Sequence, residues 1–380
     1  MIPLSIPNLG EAESEAVAQV VRDGWVSSAG PDVTRFEEEI AAYCGMRFGV
    51  ATSSGTSALH LALQVAGVGH GDLVLAPNLT FVASVNAVSY RGAEPVLFDI
   101  DPATLQIDPA LVQKYLEEET EFRQGKSYAK EGGQRIAALL PVHVMGYSPD
   151  LPRLVALARE RGIPVVEDAA EALGSRYQEK HAGSHGLLST LSFNGNKVLT
   201  TGGGGMVLTN DPQLAETARH LSTQAKSFSA EYIHDRVGYN YRLPNLNAAL
   251  GRAQLVRIEP FLNQKREIHA FYTEALAGIP NLESIQFDPA EQAPNHWLHT
   301  IFHPETRQLE EVLNMFDIQT RKLWVPINRL PVYRDCRYIQ VQDHSHTRYE
   351  HSLTLPSSTG ITDAELQEVA ERIRTFLNRT

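Results

Sequence analysis

Only two cysteines, Cys44 and Cys336, occur among the 380 residues of this chain. Two thiols supply no disulfide framework and no metal-ligand pattern, so the chain reads as a metal-free protein of a reducing compartment, the cytoplasm. Long apolar runs are missing as well, and none approaches the roughly 20 residues that span a bilayer. The opening MIPLSIPNLGEAE lacks both a basic n-region and an apolar h-region, which speaks against a signal peptide. Basic residues are in the minority, 33 Lys and Arg against 45 Asp and Glu, for a formal net charge of −12. A nucleic-acid surface needs clustered positive charge, so nucleic acid and membrane are both set aside as partners. A local basic pocket for a diphosphate remains compatible with that balance. There is no internal repeat.

What the chain does have is length and alternation. With 380 residues and 43% hydrophobic content it can bury a large core and a second, smaller one. Apolar strand candidates recur at Phe48–Ala51, Leu73–Ala76, Glu94–Phe98, Ile136–Pro141, Ile163–Val166 and Met206–Thr209. Helical patterns separate most of them, at Ser57–Ala66, Phe81–Tyr90 and Leu151–Arg161. This alternation predicts an α/β fold with a mainly parallel sheet covered on both faces and ligands at the carboxyl ends of its strands. A long helical path, Leu246–Ile268, leads onward, and Pro260 is expected to kink or interrupt it. The expected division is a large domain over residues 1–255 and a smaller C-terminal α/β domain over residues 256–380, closing with a helix Asp363–Leu377. The polar stretch Glu117–Gln134 is expected as a surface excursion.

The densest chemistry lies between Val165 and Asn210. There an apolar strand delivers Asp168 at its carboxyl end, and Lys197 follows among small and amide residues, trailed by Gly202–Gly205. Taken singly, each piece has an ordinary explanation: a solvated lysine, a flexible glycine loop, a helix-capping aspartate. Taken in this order, they suit pyridoxal phosphate. The lysine amine forms a Schiff base with the cofactor aldehyde, and the carboxylate keeps the pyridine nitrogen protonated so that the ring can accept electrons. The glycines let backbone approach a bulky ligand. Upstream, a strand ending at Ala51 runs through Ser53-Ser54-Gly55-Thr56-Ser57 into an apolar helix, placing backbone N–H groups and hydroxyls where an anion could bind. A simple Ser/Thr helix cap would use the same residues.

These segments, and others, carry a resemblance. GWVSSAGPDVTRFEEEIAAYCG (Gly24–Gly45), ATSSGTSALHLAL (Ala51–Leu63), APNLTFVASVNAV (Ala76–Val88), PVHVMG (Pro141–Gly146), EDAAEALGS (Glu167–Ser175), SFNGNKVLTTGGGG (Ser192–Gly205) and VGYNYRLPNLNAALGRAQL (Val237–Leu255) span nearly the whole chain. Together they resemble the DegT/DnrJ/EryC1/StrS sugar aminotransferases. The wording NGNK followed by TTGGGG is similar to the branch acting on UDP- or GDP-linked 4-keto-6-deoxy-N-acetylglucosamine. The charged segment Thr120–Gly146 is similar to members of the legionaminic acid and bacillosamine type of pathway.

The resemblance implies a fold type I, aspartate aminotransferase-like architecture with a seven-stranded sheet and a smaller C-terminal domain. It implies pyridoxal phosphate bound through Lys197, with pyridoxamine phosphate in the half-reaction, and catalysis by Lys197 and Asp168. By the same resemblance Gly55, Thr56 and Ser192 hold the phosphate, and Phe81 packs against the pyridine face. Asn240 reaches the phosphate of a second subunit's cofactor, which makes the site a product of homodimerisation. Glu171 departs from the glutamine many members carry, and a carboxylate there accepts a hydrogen bond from the cofactor phenol or a sugar hydroxyl but donates none while ionised. His143 is expected behind the site without a catalytic role. Trp25, Ser27 and Ser28, and in the small domain Asn295, His296 and Trp297 and the segment Arg321–Pro326 (RKLWVP), are expected to border the substrate, although buried tryptophans and surface arginines commonly have structural explanations.

The implied reaction is a two-stage transamination. L-glutamate gives up its amino group first, and the C4 ketone of a nucleotide-linked 4-keto-6-deoxy-N-acetylhexosamine then receives it. Lys197 serves as covalent anchor and proton shuttle. Another nucleotide keto-sugar, with dTDP or GDP as carrier and C3 or C4 as the position, is the alternative. A sugar 3-dehydratase would lack the lysine, a cysteine desulfurase would need a cysteine on a mobile loop, and a non-catalytic regulator would have no use for the base.

Overall fold

The computed structural model describes residues 1–227 and 231–379. Its centre is a sheet built from β1 (Phe48–Thr52), β2 (Leu73–Pro77), β3 (Glu94–Phe98), β4 (Ile136–Leu139), β5 (Val166–Asp168), β6 (Leu188–Ser192), β7 (Gly205–Thr209) and β8 (Tyr338–Ile339). Strands β8-β3-β2-β4 pair in one run and β5-β6-β7-β1 in another. Parallel bridges Leu139 to Val165 and Val142 to Asp168 join the runs into the order β8-β3-β2-β4-β5-β6-β7-β1. Every neighbouring pair is parallel except the two made by β7, which runs against β6 and β1.

Burial on both faces explains the composition of these strands. All five residues of β2, Leu-Val-Leu-Ala-Pro, are buried, as a central parallel strand requires. On one face, Val74, Ala76, Val166, Leu188 and Val207 pack with Leu59 and Leu63 of helix α1 (Gly55–Val65). On the other, Leu75, Phe98, Leu139 and Val165 pack with Leu154 and Ala158. Helix α2 (Ala83–Tyr90) follows β2. Two strands lie outside the expected set. β6 has the polar-interleaved sequence LSTLS, and β8 is only two residues long, so neither carries a strong apolar signal. The polar excursion at Glu117–Gln134 contains a β-hairpin, Thr120–Arg123 paired with Lys126–Ala129.

The long helical path is broken as Pro260 demands. Helix α3 (Asn245–Val256) ends, Arg257 leaves helical geometry at φ −100° and ψ 7°, and α4 (Ile258–Ala275) begins with Pro260 in its first turn. A continuous helix would have driven the proline ring into the carbonyl of Val256, four residues back. Beyond α4, strands Glu283–Ser284, His299–Phe302 and Ser352–Leu355 form an antiparallel sheet. A core of Ile268, Tyr272, Ile301, Leu353, Val369 and Ile373 backs it, the last two from helix Asp363–Leu377. Two segments cross the boundary expected at 255/256. β8 joins the large sheet, and Ile2 pairs with Ile318 and sits in the smaller core.

One close approach fixes the large sheet to α1. Gly205 pairs with Thr52 on one side and Ser192 on the other, and a Cβ on it would lie 2.6 Å from the Gly55 nitrogen. We expect Gly205→Ala to push α1 away from the sheet at a cost of about 1–3 kcal/mol, as overpacking does. A thermal melt should show a lowered midpoint, and a midpoint equal to that of the parent protein would mean the contact is slack.

Candidate active site

The carboxyl ends of β1, β2, β5 and β6 and the start of β7 open on one cavity of about 410 Å³. Parallel strands release their following loops at that edge, so residues far apart in sequence meet there. Gly55, Thr56, Phe81, Asp168, Glu171, Ser192, Lys197, Trp297, Arg321 and Trp324 all line it, as does Ser84, which was not singled out from the sequence.

At one end stands the start of α1. Ser54 caps the helix by accepting from the Ser57 N–H at 3.0 Å, while its own N–H donates to the Ser57 hydroxyl at 3.0 Å. The capping explanation is therefore correct for Ser54 and Ser57. It leaves the first helical amides, of Gly55 and Thr56, without a carbonyl one turn back to receive them, and they form the positive end of the helix dipole. Ser192 adjoins them. A Cβ on Gly55 would lie 2.8 Å from the Ser192 Cβ, so only glycine allows this approach.

Asp168 forms the floor. Its Oδ2 accepts from the Ser84 hydroxyl at 2.7 Å and its Oδ1 from the Ala170 N–H at 3.2 Å, and the residue is buried. Ser84 comes from α2, whose other polar residues are Asn86, Ser89 and Tyr90, and nothing in its sequence context marked it. The preceding residue, Glu167, is fully buried behind the site. Its Oε2 receives His143 Nε2 at 2.9 Å and the Gly183 N–H at 3.0 Å, and its Oε1 the N–H groups of His185 and Gly186 at 2.8 and 2.6 Å. Burial pushes the Glu167 pKa up, but the His143 hydrogen bond and charge, with the Gly186 N–H, outweigh it and hold the carboxyl below its ordinary value. His143 is thus a supporting group, as expected.

Lys197 lies in the loop between β6 and β7. Its Nζ stands 3.3 Å from Glu171 Oε1 and 3.9 Å from the centre of the Trp297 ring. Glu171 Oε2 accepts the N–H of Met145 at 2.8 Å, and Met145 itself adopts a left-handed φ of 58°. Burial first, and then the Asp168 charge, push the Glu171 pKa up, while Lys197 and the Met145 N–H oppose them. At the mouth, Phe81 is 52% exposed, with its ring centre 6.4 Å from that of Trp324.

Other expected residues are not brought to this cavity. Trp25, Ser27 and Ser28 are exposed in the turn between helices Glu11–Asp23 and Pro31–Tyr43. Asn240 is exposed, with its main chain bridged to Thr223. His296 needs correcting as a substrate contact, because its ring is buried away from the cavity. It stacks on His269 at 3.9 Å and bonds the Tyr147 hydroxyl at 3.1 Å, and burial lowers its pKa to about 2, so it is a neutral packing group.

The donor set fits pyridoxal phosphate: amide and hydroxyl groups for a phosphate, a buried carboxylate for a ring nitrogen, and an amine for an aldehyde within one small cavity. Among the described residues no group of three or more His, Cys, Asp or Glu side chains could hold a metal, and no helix is long and apolar enough to cross a membrane.

Comparison with known proteins agrees. Residues 7–374 match the model of the DegT/DnrJ/EryC1/StrS aminotransferase family. GDP-perosamine synthase of Escherichia coli O157:H7 is 33% identical over 99% of this chain and 98% of its own length. The enzyme of the same name from Caulobacter vibrioides is 34% identical over 97% and 96%. The crystal structure of the aminotransferase TlmJ from Streptoalloteichus hindustanus superposes with a TM-score of 0.90 at 30% identity, covering 100% of this chain and 99% of that one.

The depressed Glu167 value sets a pH test. A carboxyl lowered on folding stabilises the fold fully above its unfolded value, near 4.5, and that contribution is lost as pH falls through the lower folded value. Glu167→Gln places an amide opposite N–H donors, so it should melt well below the parent protein at neutral pH. The gap should narrow once the medium is acidic enough to protonate Glu167, and a gap constant with pH would contradict the assignment.

Proposed function

We propose a substrate and a division of labour for this chain, which belongs to the DegT/DnrJ/EryC1/StrS aminotransferase family and is a pyridoxal phosphate-dependent sugar aminotransferase of fold type I. The amino donor is L-glutamate, and the acceptor is the C4 ketone of a nucleotide-linked 4-keto-6-deoxy-N-acetylhexosamine. The observation that carries the chemistry is the meeting of Asp168, Glu171, Lys197 and the α1 start in one cavity. The similarity to two GDP-perosamine synthases favours a second reading for the sugar, a GDP-linked acceptor without the acetamido group.

Bound pyridoxal phosphate supplies the electron sink that lets the donor Cα lose a proton. Everything else falls to the chain. Gly55 and Thr56 at the α1 start, with Ser192, hold the phosphate. Asp168, fixed by Ser84 and Ala170, keeps its charge toward the ring nitrogen. The Lys197 amine anchors the cofactor and, once free, takes the proton from one carbon and returns it to another, with Glu171 beside it. Phe81 and Trp324 present aromatic faces at the mouth, and Arg321 a cation suited to a diphosphate or carboxylate. Asn240 and the Trp25–Ser28 turn, exposed here, serve a second copy of the chain in a homodimer with shared sites. The enzyme works in the cytoplasm, where its nucleotide sugar is made.

Two measurements test this. Lys197→Ala should show no visible band from bound cofactor and no turnover, and Asp168→Asn should keep the band but lose most of its rate; near-normal turnover in either removes that role. With the intact enzyme, L-glutamate should bleach the band. A UDP- or GDP-linked 4-keto-6-deoxy sugar, with or without the 2-acetamido group, should restore it and yield an amino sugar by mass. Recovery only with the GDP-linked sugar lacking acetamido would overturn the first reading in favour of the second.

A further inference from the structure

Behind Lys197 runs a short strap, Asn295-His296-Trp297, that ties the C-terminal region to two loops of the large sheet. Asn295 spends all its polar groups there. Its Nδ2 donates to the carbonyls of Glu171 at 2.8 Å and Leu173 at 2.9 Å, its Oδ1 receives the Trp297 N–H at 2.9 Å, and its own N–H reaches the Ser175 hydroxyl at 3.0 Å. Trp297 is 2% exposed, and its Nε1–H donates to the carbonyl of Asn196, the residue before Lys197, at 2.7 Å. The indole N–H is therefore already used and is not free for a sugar hydroxyl. The Trp297 carbonyl in turn accepts from Lys265 of α4 at 2.7 Å, and the same ammonium group reaches the Ser357 carbonyl. Lys265 is buried, its ammonium bonds these two carbonyls, and burial lowers its pKa to about 7.

We propose that Trp297 is a positioning residue for Lys197: its N–H pins the lysine loop at Asn196, its ring face lies against the free amine beside Glu171, and Asn295 and Lys265 hold the indole in place. A ring face at 3.9 Å attracts the ammonium form, and the pinned carbonyl restricts the loop, so the amine is held where cofactor and donor arrive. This rests on Lys197 being the cofactor anchor. It reassigns Trp297 from a substrate contact to a support of the reactive group.

The test separates the two roles. Cofactor-free protein is mixed with pyridoxal phosphate well below its melting midpoint, and the growth of the visible band is timed. The band forms once the Lys197 amine, having released one proton to solvent or to Glu171 Oε1 at 3.3 Å, adds to the aldehyde carbon, and the aldehyde oxygen leaves as water with the two hydrogens that remained on nitrogen. Trp297→Leu should slow this capture several-fold to about tenfold, the scale of one lost hydrogen bond. Trp297→Phe, which keeps a ring but no N–H, should recover part of the loss, and Lys265→Met should slow capture in the same direction. In turnover, kcat should fall while KM for the nucleotide sugar stays put. Capture at the parent rate in the variants, with only the melting midpoint lowered, would make Trp297 a core filler. A raised sugar KM with unchanged kcat and capture would make it a substrate contact; either result overturns the proposal. If Trp297→Leu does not fold, Trp297→Phe and Lys265→Met decide by the same criteria. A visible band persisting in Lys197→Ala would remove the anchor reading itself, independently of Trp297.

Discussion

The approach of Gly205 to the Ser54–Gly55 peptide is the contact on which the site depends. It brings β7, which runs antiparallel to both of its neighbours in the large sheet, against the start of α1. The loop carrying Lys197 leaves β6 at Ser192 and returns at Gly205, and these two residues are themselves paired across the strands. The start of α1 and the lysine loop therefore meet at a single backbone junction. Side chains at Gly205 or Gly55 would separate them, which gives two glycines of this region a steric necessity; Gly203, with nothing near its missing Cβ, has instead an open side.

A second constraint is electrostatic. Asp168 is buried at the cavity wall and is held by a hydroxyl and an amide. That arrangement depends in turn on Glu167, whose four hydrogen bonds from His143 and three backbone amides lock the chain immediately before it. Adjacent residues on a strand point to opposite faces, so one carboxylate faces the cavity while its neighbour fastens the strand from behind. The burial that would make either acid costly alone is offset by donors the fold has already positioned.

The sheet and the start of α1 were legible because their signals are local: buried parallel strands are continuous apolar runs, and a Ser/Thr-rich turn after a strand marks a helix start, which Ser54 and Ser57 indeed cap. β6 was not, since Ser189 and Thr190 interrupt its apolar pattern, and β8 has too few residues to show a period. Pro260 foretold a break, and the structure puts it at Arg257 because the clash falls four residues upstream. The chemistry-bearing pair Asp168 and Lys197 was visible as sequence, whereas Ser84, the donor that fixes Asp168, comes from another helix and had no local mark. His296 and Trp297 are neighbours in the chain with opposite fates, one stacked in a histidine cluster and the other against Lys197. Which way each of two adjacent side chains turns is decided by tertiary contacts that no spacing encodes.

The carboxylate at Glu171 gains its meaning from this setting. A glutamine in the same place would offer Lys197 a neutral oxygen, while the carboxylate offers a charge that must be balanced. Burial and the nearby Asp168 charge push Glu171 toward its protonated form, and the lysine ammonium and the Met145 amide pull it back. The Lys197 contribution reaches Glu171 at Oε1 across a 3.3 Å gap. The Met145 amide keeps the second carboxylate oxygen occupied, which leaves Oε1 as the atom that faces the amine.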